Sequence, residues 1–117
     1  MPARLSEQQK RDRALSEADL RSQANEVAEI LGWTWMWVGP LRTAHGWKTP
    51  TYGPLGEGWP DTTYFHRRGR VIFVEFKKEM GHETPAQLEV HAALRMRGQL
   101  VYVIRPSTFD ELVEALR

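Results

Sequence analysis

The spacing of apolar residues along the chain changes between the three-to-four-residue period of amphipathic helices and the alternation that is typical of strands. One helical stripe follows Ser16 and ends at Gly32, a second helical pattern starts at Thr84, and a third follows Pro106. Short runs rich in β-branched and aromatic residues lie between these patterns and predict strands. The predicted strands cover residues 33–38, 61–66, 71–77 and 100–104.

The order of these elements predicts one α/β domain with a central mixed β-sheet flanked by helices. Because a helix connects the strand at 71–77 to the strand at 100–104, these two strands should lie side by side and parallel. The length of 117 residues suits a single core. We place the domain at residues 16–117 and interpret residues 1–15 as a polar tail, either frayed helix or disordered, with a basic arm on DNA as the alternative.

The two central strands form a predicted hairpin, and its register decides which side chains meet. A two-residue turn would set Asp61 opposite Phe76, whereas a three-residue loop at 67–69 sets Asp61 opposite Glu75. We favour the three-residue loop, because such loops need a left-handed residue at the point where Gly69 stands. The predicted register therefore pairs two carboxylates across neighbouring strands.

The paired carboxylates indicate a cation. Two such groups with Cβ atoms roughly 5 Å apart repel each other unless a positive charge lies between them. A hard divalent metal is the natural partner of oxygen ligands, so Asp61 and Glu75 are candidate metal ligands. Alternation along the strand puts Lys77 on the same face as Glu75, where it adds a fixed positive charge.

Three motifs follow one another in this region. Pro60-Asp61 is followed, fourteen residues after the aspartate, by Glu75-x-Lys77, and Gln87 then lies in Thr-Pro-Ala-Gln. This order resembles the PD-(D/E)XK nuclease pattern. More narrowly, the chain resembles the virus-type replication-repair nuclease (VRR-NUC) family from about Ser16 to the C-terminus, including the flanking Gly-Trp-Pro-Asp and Gly-x-x-Val-x-Val-Ile-Arg-Pro segments.

The resemblance implies a restriction-endonuclease-like core and a metal-dependent DNA endonuclease. By this likeness Asp61, Glu75 and the backbone carbonyl of Phe76 hold Mg²⁺ or Mn²⁺, Lys77 orients or deprotonates the attacking water, and Gln87 belongs to the site. Stand-alone members of the family are typically short, phage-type homodimers that act on branched DNA such as four-way (Holliday) junctions. A homodimer and a branched DNA substrate are therefore expected here.

Two residues of the expected site also have structural explanations. Glu17 is the acid on the apolar stripe of the first helix; it either stabilises the helix dipole or, as the family's first-helix glutamate implies, adds a third carboxylate to the metal. Gln87 follows Thr84 and Pro85 at the third helical position, where it is suited to close a capping box. We include both in the candidate site on the strength of the resemblance.

The segment 39–58 is rich in glycine and proline and is predicted to be a long loop. We interpret it as a flap on the substrate side, with a disordered crossover as the alternative. Arg42, His45 and Lys48 on this segment are candidate DNA contacts. The three tryptophans of the strand at 33–38 share one face, which is more typical of a core or a dimer surface than of a nucleobase platform.

Composition narrows the possible cellular compartments and the possible kinds of binding site. The absence of cysteine fits a reducing cytosol, which the resemblance implies to be that of a bacterium or a phage-infected host, and the lack of a long apolar run argues against secretion and membrane insertion. Because the net charge is only +1, any DNA-facing surface must come from local clusters of basic residues. The four histidines are too widely spaced for a zinc motif, and His91, Arg95 and Arg97 are expected on the solvated surface.

Two other functions stay open at this point. A nuclease-like fold can bind DNA or RNA without cutting it, with the acidic and basic residues kept as a charge cluster. The tryptophan-bearing strand can instead serve a protein-interaction module that involves no nucleic acid.

Overall fold

A computed structural model describes residues 4–49 and 51–117 of the chain. The helices in these ranges are α1 (Glu7–Ala14), α2 (Glu17–Ile30), α3 (Pro85–Met96) and α4 (Phe109–Leu116), and the strands are β1 (Trp33–Trp37), β2 (Leu41–Thr43), β3 (Gly46–Lys48), β4 (Thr62–His66), β5 (Val71–Phe76) and β6 (Leu100–Ile104). Short 3₁₀ turns cover Gly56–Gly58 and Pro106–Thr108. No helix in the described ranges is long and apolar enough to cross a membrane.

The central sheet has the strand order β1-β4-β5-β6. β1, β4 and β5 pair antiparallel, whereas β6 lies parallel to β5 after the α3 crossover. This mixed sheet flanked by helices confirms the predicted fold class and the predicted pairing of the last two strands. β5 lies inside the sheet, so strands on both sides fix the position of the residues at its end.

Different helices cover the two faces of β5. On one face the main core joins β5 to α2 and α4 through Ile72, Val74, Phe76, Leu20, Ala24, Ala28, Leu112 and Leu116. On the other face Phe73 packs with Val90 and Leu94 of α3 and with Val101 of β6. Because side chains alternate along a strand, Glu75 points to the face that α3 covers.

The hairpin between β4 and β5 has the register that the sequence predicts. Thr62 pairs with Val74, and the His66 amide donates to the Arg70 carbonyl at 2.8 Å. Three residues, 67–69, therefore form the loop, and Gly69 has a φ of 103°. A side chain at this φ would be strained, which explains why glycine stands there. The same register sets Asp61 opposite Glu75.

The ends of α2 and α3 follow the predicted signals. The Ser16 hydroxyl accepts a hydrogen bond from the Asp19 amide at 3.0 Å and caps the start of α2. Gly32 (φ 91°) and Gly98 (φ 78°) stand just beyond the two helices in the conformation that terminates them. Gly32 then turns the chain directly into β1.

The N-terminal segment is helical over most of its described length. Residues 1–3 of the predicted tail lie outside the described residues, and Glu7–Ala14 form α1 behind a reciprocal capping box between Ser6 and Gln9. The disordered form of the predicted tail is therefore wrong for this part. α1 buries none of its side chains, so it adds little to the core.

The segment 39–58 is not the structureless loop that its composition predicts. β2 and β3 pair antiparallel within it, and the 3₁₀ turn Gly56–Gly58 follows. Pro50 lies outside the described residues. Strands of three residues are too short to show an alternating pattern, which is why the sequence did not reveal them. The disordered crossover is wrong for the described part of this segment.

The tryptophan face of β1 is divided between core and surface. Trp33 is buried, and its indole N–H donates to the Leu116 carbonyl at 2.8 Å, which ties β1 to the end of α4. Trp35 and Trp37 remain 38% and 41% exposed. The core interpretation therefore holds for the first tryptophan only.

Candidate functional site

Asp61 lies immediately before β4, where hydrogen bonds from two strands fix its carboxylate. Its Oδ1 accepts from the Thr62 hydroxyl at 2.7 Å, and its Oδ2 accepts from the Phe76 amide of β5 at 3.4 Å. Its backbone carbonyl accepts from the Val38 amide at 2.8 Å, just beyond β1. The half-buried side chain is therefore held at the common end of β1, β4 and β5.

The 3₁₀ turn before Asp61 packs directly on the start of α3. A Cβ placed on Gly58 would lie 2.1 Å from the Ala86 carbonyl oxygen, so only glycine allows this approach. The close contact brings Asp61 near Gln87, which belongs to the same helix start.

Glu75 is the buried acid of the site. Its side chain points under α3, the residue is only 4% exposed, and its Oε1 has no hydrogen-bond partner among the described residues. The pKa of Glu75 is raised to about 9, first by burial, then by a hydrogen bond and the charge of Asp61, with a smaller contribution from Glu17, while Lys77 opposes the shift. A carboxylate in this position is stabilised by a cation.

Lys77 is the nearest cation in sequence to this acid. It follows β5, and its backbone amide donates to the Ile104 carbonyl at 3.0 Å, which extends the pairing with β6. Its charge lowers the pKa of Glu75, against the larger effects of burial and Asp61. Asp61 and Glu75 line one cleft and Lys77 follows two residues after Glu75, while the catalytic roles of the three residues stay predictions.

The chemistry of these donors fits a hard divalent metal. Two carboxylates meet, and a buried oxygen of one of them has no hydrogen-bond partner in the described part of the chain; an oxygen-seeking ion satisfies both conditions. Within residues 4–49 and 51–117, however, no group of three or more His, Asp or Glu side chains forms a complete metal site. Further ligands would have to be backbone carbonyls, such as that of Phe76, or water.

Glu17 and Gln87 both line the cleft that contains the two acids. Glu17 is the half-buried first residue of α2, and its charge contributes to the raised pKa of Glu75. Gln87 closes the predicted capping box: its Oε1 accepts from the Thr84 amide at 2.9 Å, and its own amide donates to the Thr84 hydroxyl at 3.1 Å. The capping role of Gln87 is confirmed, and the metal role of Glu17 stays a prediction.

The cleft has a volume of about 840 Å³ and is walled on one side by the segment after β3. Aromatic rings from Trp37, Tyr52 and Trp59 line it beside the acids. The three predicted DNA contacts, Arg42, His45 and Lys48, are exposed on the β2-β3 hairpin and do not line this cleft.

Arg21 is a residue of the cleft that the sequence analysis missed. Its guanidinium lies 4.0 Å from the centre of the Trp37 ring, and both side chains line the cleft. The available signal was its position on α2, one turn after Glu17 and therefore on the same face. Arg21 places a positive charge in the cleft, whose lining does not include Lys77.

The surface location predicted for His91 is wrong. His91 is 0% exposed; its Nδ1 lies 2.6 Å from Oε2 of Glu83, and its Nε2 lies 3.8 Å from Oε1 of Glu75. The helical period gave a signal, because His91 stands one turn after Gln87 and beside buried Val90. Its polar character suggested the surface, but the nearby glutamates make burial favourable.

The mixed sheet places Asp61 just before β4, Glu75 on β5 and Lys77 just after β5, an arrangement typical of restriction-endonuclease-like nuclease folds. Neither the protein-family models nor the curated proteins gave a match. Among solved structures, one described as a "VRR_NUC domain" is 30% identical and has a TM-score of 0.65, covering 84% of this chain and 94% of its own. The chain belongs to the VRR-NUC family, which confirms the resemblance seen in the sequence.

The raised pKa of Glu75 predicts how the stability of the metal-free protein depends on pH. The folded state binds the Glu75 proton more tightly than the unfolded state, whose pKa is near 4.5. The stabilising contribution is therefore complete below pH 4.5 and is lost as the pH rises towards 9. Between pH 5 and pH 9 we expect the free energy of unfolding to fall by at least about 1.4 kcal/mol, the value of one pKa unit.

Denaturant unfolding in the presence of a chelator measures this dependence. Glu75→Gln should remove most of the fall, since the amide does not titrate. An equal fall in wild type and Glu75→Gln would show that another group causes it.

Proposed function

We propose that this protein is a Mg²⁺- or Mn²⁺-dependent DNA endonuclease that hydrolyses phosphodiester bonds. The observation that carries the proposal is the pairing of Asp61 with Glu75 across two strands, with a buried oxygen on Glu75 that has no hydrogen-bond partner among residues 4–49 and 51–117, and with the charge of Lys77 acting on that acid. Membership of a nuclease-domain family supports the same chemistry.

Each residue of the site has a distinct role in this proposal. Asp61, Glu75 and the backbone carbonyl of Phe76 would hold the ion, which when bound supplies Lewis-acid chemistry and neutralises charge on the phosphate. Lys77 orients or deprotonates the attacking water and stabilises negative charge that grows on the phosphate in the transition state. Gln87 caps α3 and presents its side chain at the edge of the same cleft.

The cleft suits a nucleic-acid strand. Arg21 offers a positive charge to a phosphate, and Trp37 and Trp59 offer rings on which bases can stack. We propose branched DNA, such as a four-way junction, as the substrate on the basis of the family resemblance. Arg42, His45 and Lys48 would then contact DNA beyond the cleft, on the exposed hairpin.

The functional unit in this proposal is a symmetric homodimer in the cytosol. One small domain holds one site, whereas resolving a junction requires two paired nicks. β1 is an edge strand, and its exposed Met36 is flanked by the partly exposed Trp35 and Trp37, which makes it a candidate interface. Light scattering should give twice the mass of the chain; a monomer that still resolves junctions would contradict the dimer.

Incubation with labelled linear, single-stranded, flap and four-way-junction DNA tests the function. We expect cleavage only when Mg²⁺ or Mn²⁺ is added, and most strongly on the junction. A shifted but intact substrate would favour a DNA-binding protein that does not cut. Failure to bind any DNA at low salt would favour a protein-interaction module.

Glu17→Gln tests whether the acid of α2 acts on the metal. If it faces the ion, we expect the cleavage rate to fall by about 10²-fold, as for loss of one electrostatic group in other active sites. If it only stabilises the helix dipole, the change costs no more than about 1 kcal/mol of stability and leaves the rate unchanged. Glu26→Gln, on the exposed side of the same helix, is the matched control. Equal rates for the two variants, at equal stability, would contradict the metal role.

A further inference from the structure

His91 is a buried polar group that none of the roles described above uses. It is 0% exposed, and its Nε2 has no hydrogen-bond partner among the described residues. The same is true of Oε1 of Glu75, which lies 3.8 Å from that nitrogen. Two buried polar atoms that face each other without a hydrogen-bond partner among the described residues cost free energy, so the pair needs a physical explanation.

The other nitrogen of His91 is tightly held. Its Nδ1 lies 2.6 Å from Oε2 of Glu83, and because a carboxylate only accepts, Nδ1 donates and the orientation of the ring is fixed. Glu83 lies on the segment between β5 and α3. The Arg105 guanidinium anchors that segment with two hydrogen bonds, of 3.0 and 2.9 Å, to the Gly81 carbonyl. The ring is therefore hydrogen-bonded to a glutamate on an anchored segment, not to a freely moving surface acid.

We propose that His91, oriented by Glu83, is a positioning residue that holds the Glu75 carboxylate in place for a divalent metal. When both ring nitrogens carry a proton, Nε2 is a donor as well as Nδ1, and at 3.8 Å from Oε1 its charge attracts the Glu75 carboxylate. Carboxylates that bind metals are generally held by such outer partners, and losing one costs 10–100-fold in metal affinity. This inference rests on the proposed function, because it presumes that Glu75 binds the ion.

Two substitutions of His91 separate its two contacts. The amide of glutamine reaches about as far from the backbone as Nε2, whereas the amide of asparagine reaches only about as far as Nδ1. His91→Asn therefore retains the contact with Glu83 and loses the contact with Glu75. His91→Gln retains the contact with Glu75 and loses the contact with Glu83. We expect the Kd for Mn²⁺, measured by calorimetry without DNA, to rise about 10–100-fold in His91→Asn and to recover in large part in His91→Gln.

Substitution of Glu83 provides the test if a change at the fully buried His91 prevents folding. Glu83 is partly exposed, with 19% of its side chain accessible, so its variants should fold. Glu83→Ala removes the support of the ring and should weaken Mn²⁺ binding about 10-fold, whereas Glu83→Gln keeps an acceptor for Nδ1 and should stay within about twofold of wild type. If Glu83 has only a structural role, Glu83→Ala should lower the melting temperature, and the two variants should bind Mn²⁺ equally well.

The results separate this inference from the proposed function. If wild-type protein binds no Mn²⁺, the metal-dependent function fails, and the role of His91 fails with it. If wild type binds Mn²⁺ and folded His91→Asn and His91→Gln bind it equally well, the positioning role alone is wrong. Equal Mn²⁺ affinities for folded Glu83→Ala and Glu83→Gln would overturn it in the same way.

Discussion

Lys77→Ala is expected to lower the rate of DNA cleavage by about 10³-fold, the upper range for loss of one electrostatic group in an active site. Lys77 lies beside Glu75 at the end of an interior strand, and its charge is already felt by that acid. Because lysine is not a metal ligand here, the loss falls on the chemical step, and Kd values for Mn²⁺ and DNA should change little. Single-turnover cleavage together with separate binding measurements distinguishes these effects.

Lys78→Ala is the matched control, because Lys78 is the exposed neighbour and belongs to the turn after β5. It has the same charge and nearly the same position in the sequence. Its variant should cut DNA at close to the wild-type rate. If Lys77→Ala cuts as fast as Lys78→Ala, the role assigned to Lys77 is wrong.

Asp61→Asn should abolish cleavage at moderate metal concentrations by weakening Mn²⁺ binding more than about 100-fold. The estimate is a lower limit, because even partners outside the ligand set cost 10–100-fold. Above pH 9, where Glu75 is ionised, the metal-free variant should be as stable as wild type or more stable, since the change removes the repulsion between Asp61 and Glu75. A purely structural aspartate would instead lose stability when its charge is removed.

Calorimetry with Mn²⁺ and denaturant unfolding with a chelator measure the two quantities for Asp61→Asn. Asp19→Asn serves as control, because Asp19 is an exposed acid in the first turn of α2, close to Glu17 in sequence. We expect the control to bind Mn²⁺ like wild type. Unchanged Mn²⁺ affinity in Asp61→Asn would remove Asp61 from the metal site.

The sequence predicts the pairing of Asp61 with Glu75 because local rules determine it. Loop length and a glycine with positive φ fix the hairpin register, and the register fixes which side chains face each other. The parallel placement of β6 follows from the crossover helix in the same way. These are short-range constraints, so they can be predicted from the sequence without knowledge of the rest of the fold.

The features that the sequence did not predict depend on contacts between distant segments. His91 is buried because α3 packs over β5 and because the segment that carries Glu83 folds back, held by Arg105 from beyond β6. Helical periodicity alone cannot show which polar residue will meet a partner in the interior. The β2-β3 hairpin was missed for another reason, since its strands are only three residues long and lack an apolar pattern.

A crystal structure of the protein grown with Mn²⁺ tests the central claim most directly, because anomalous scattering locates the ion independently of activity. We predict one strong anomalous peak between the carboxylates of Asp61 and Glu75, at about 2.0–2.3 Å from an oxygen of each, as expected for hard divalent ions. A peak elsewhere, or no peak at a Mn²⁺ concentration that supports cleavage, would contradict the assignment of this pair as the metal site.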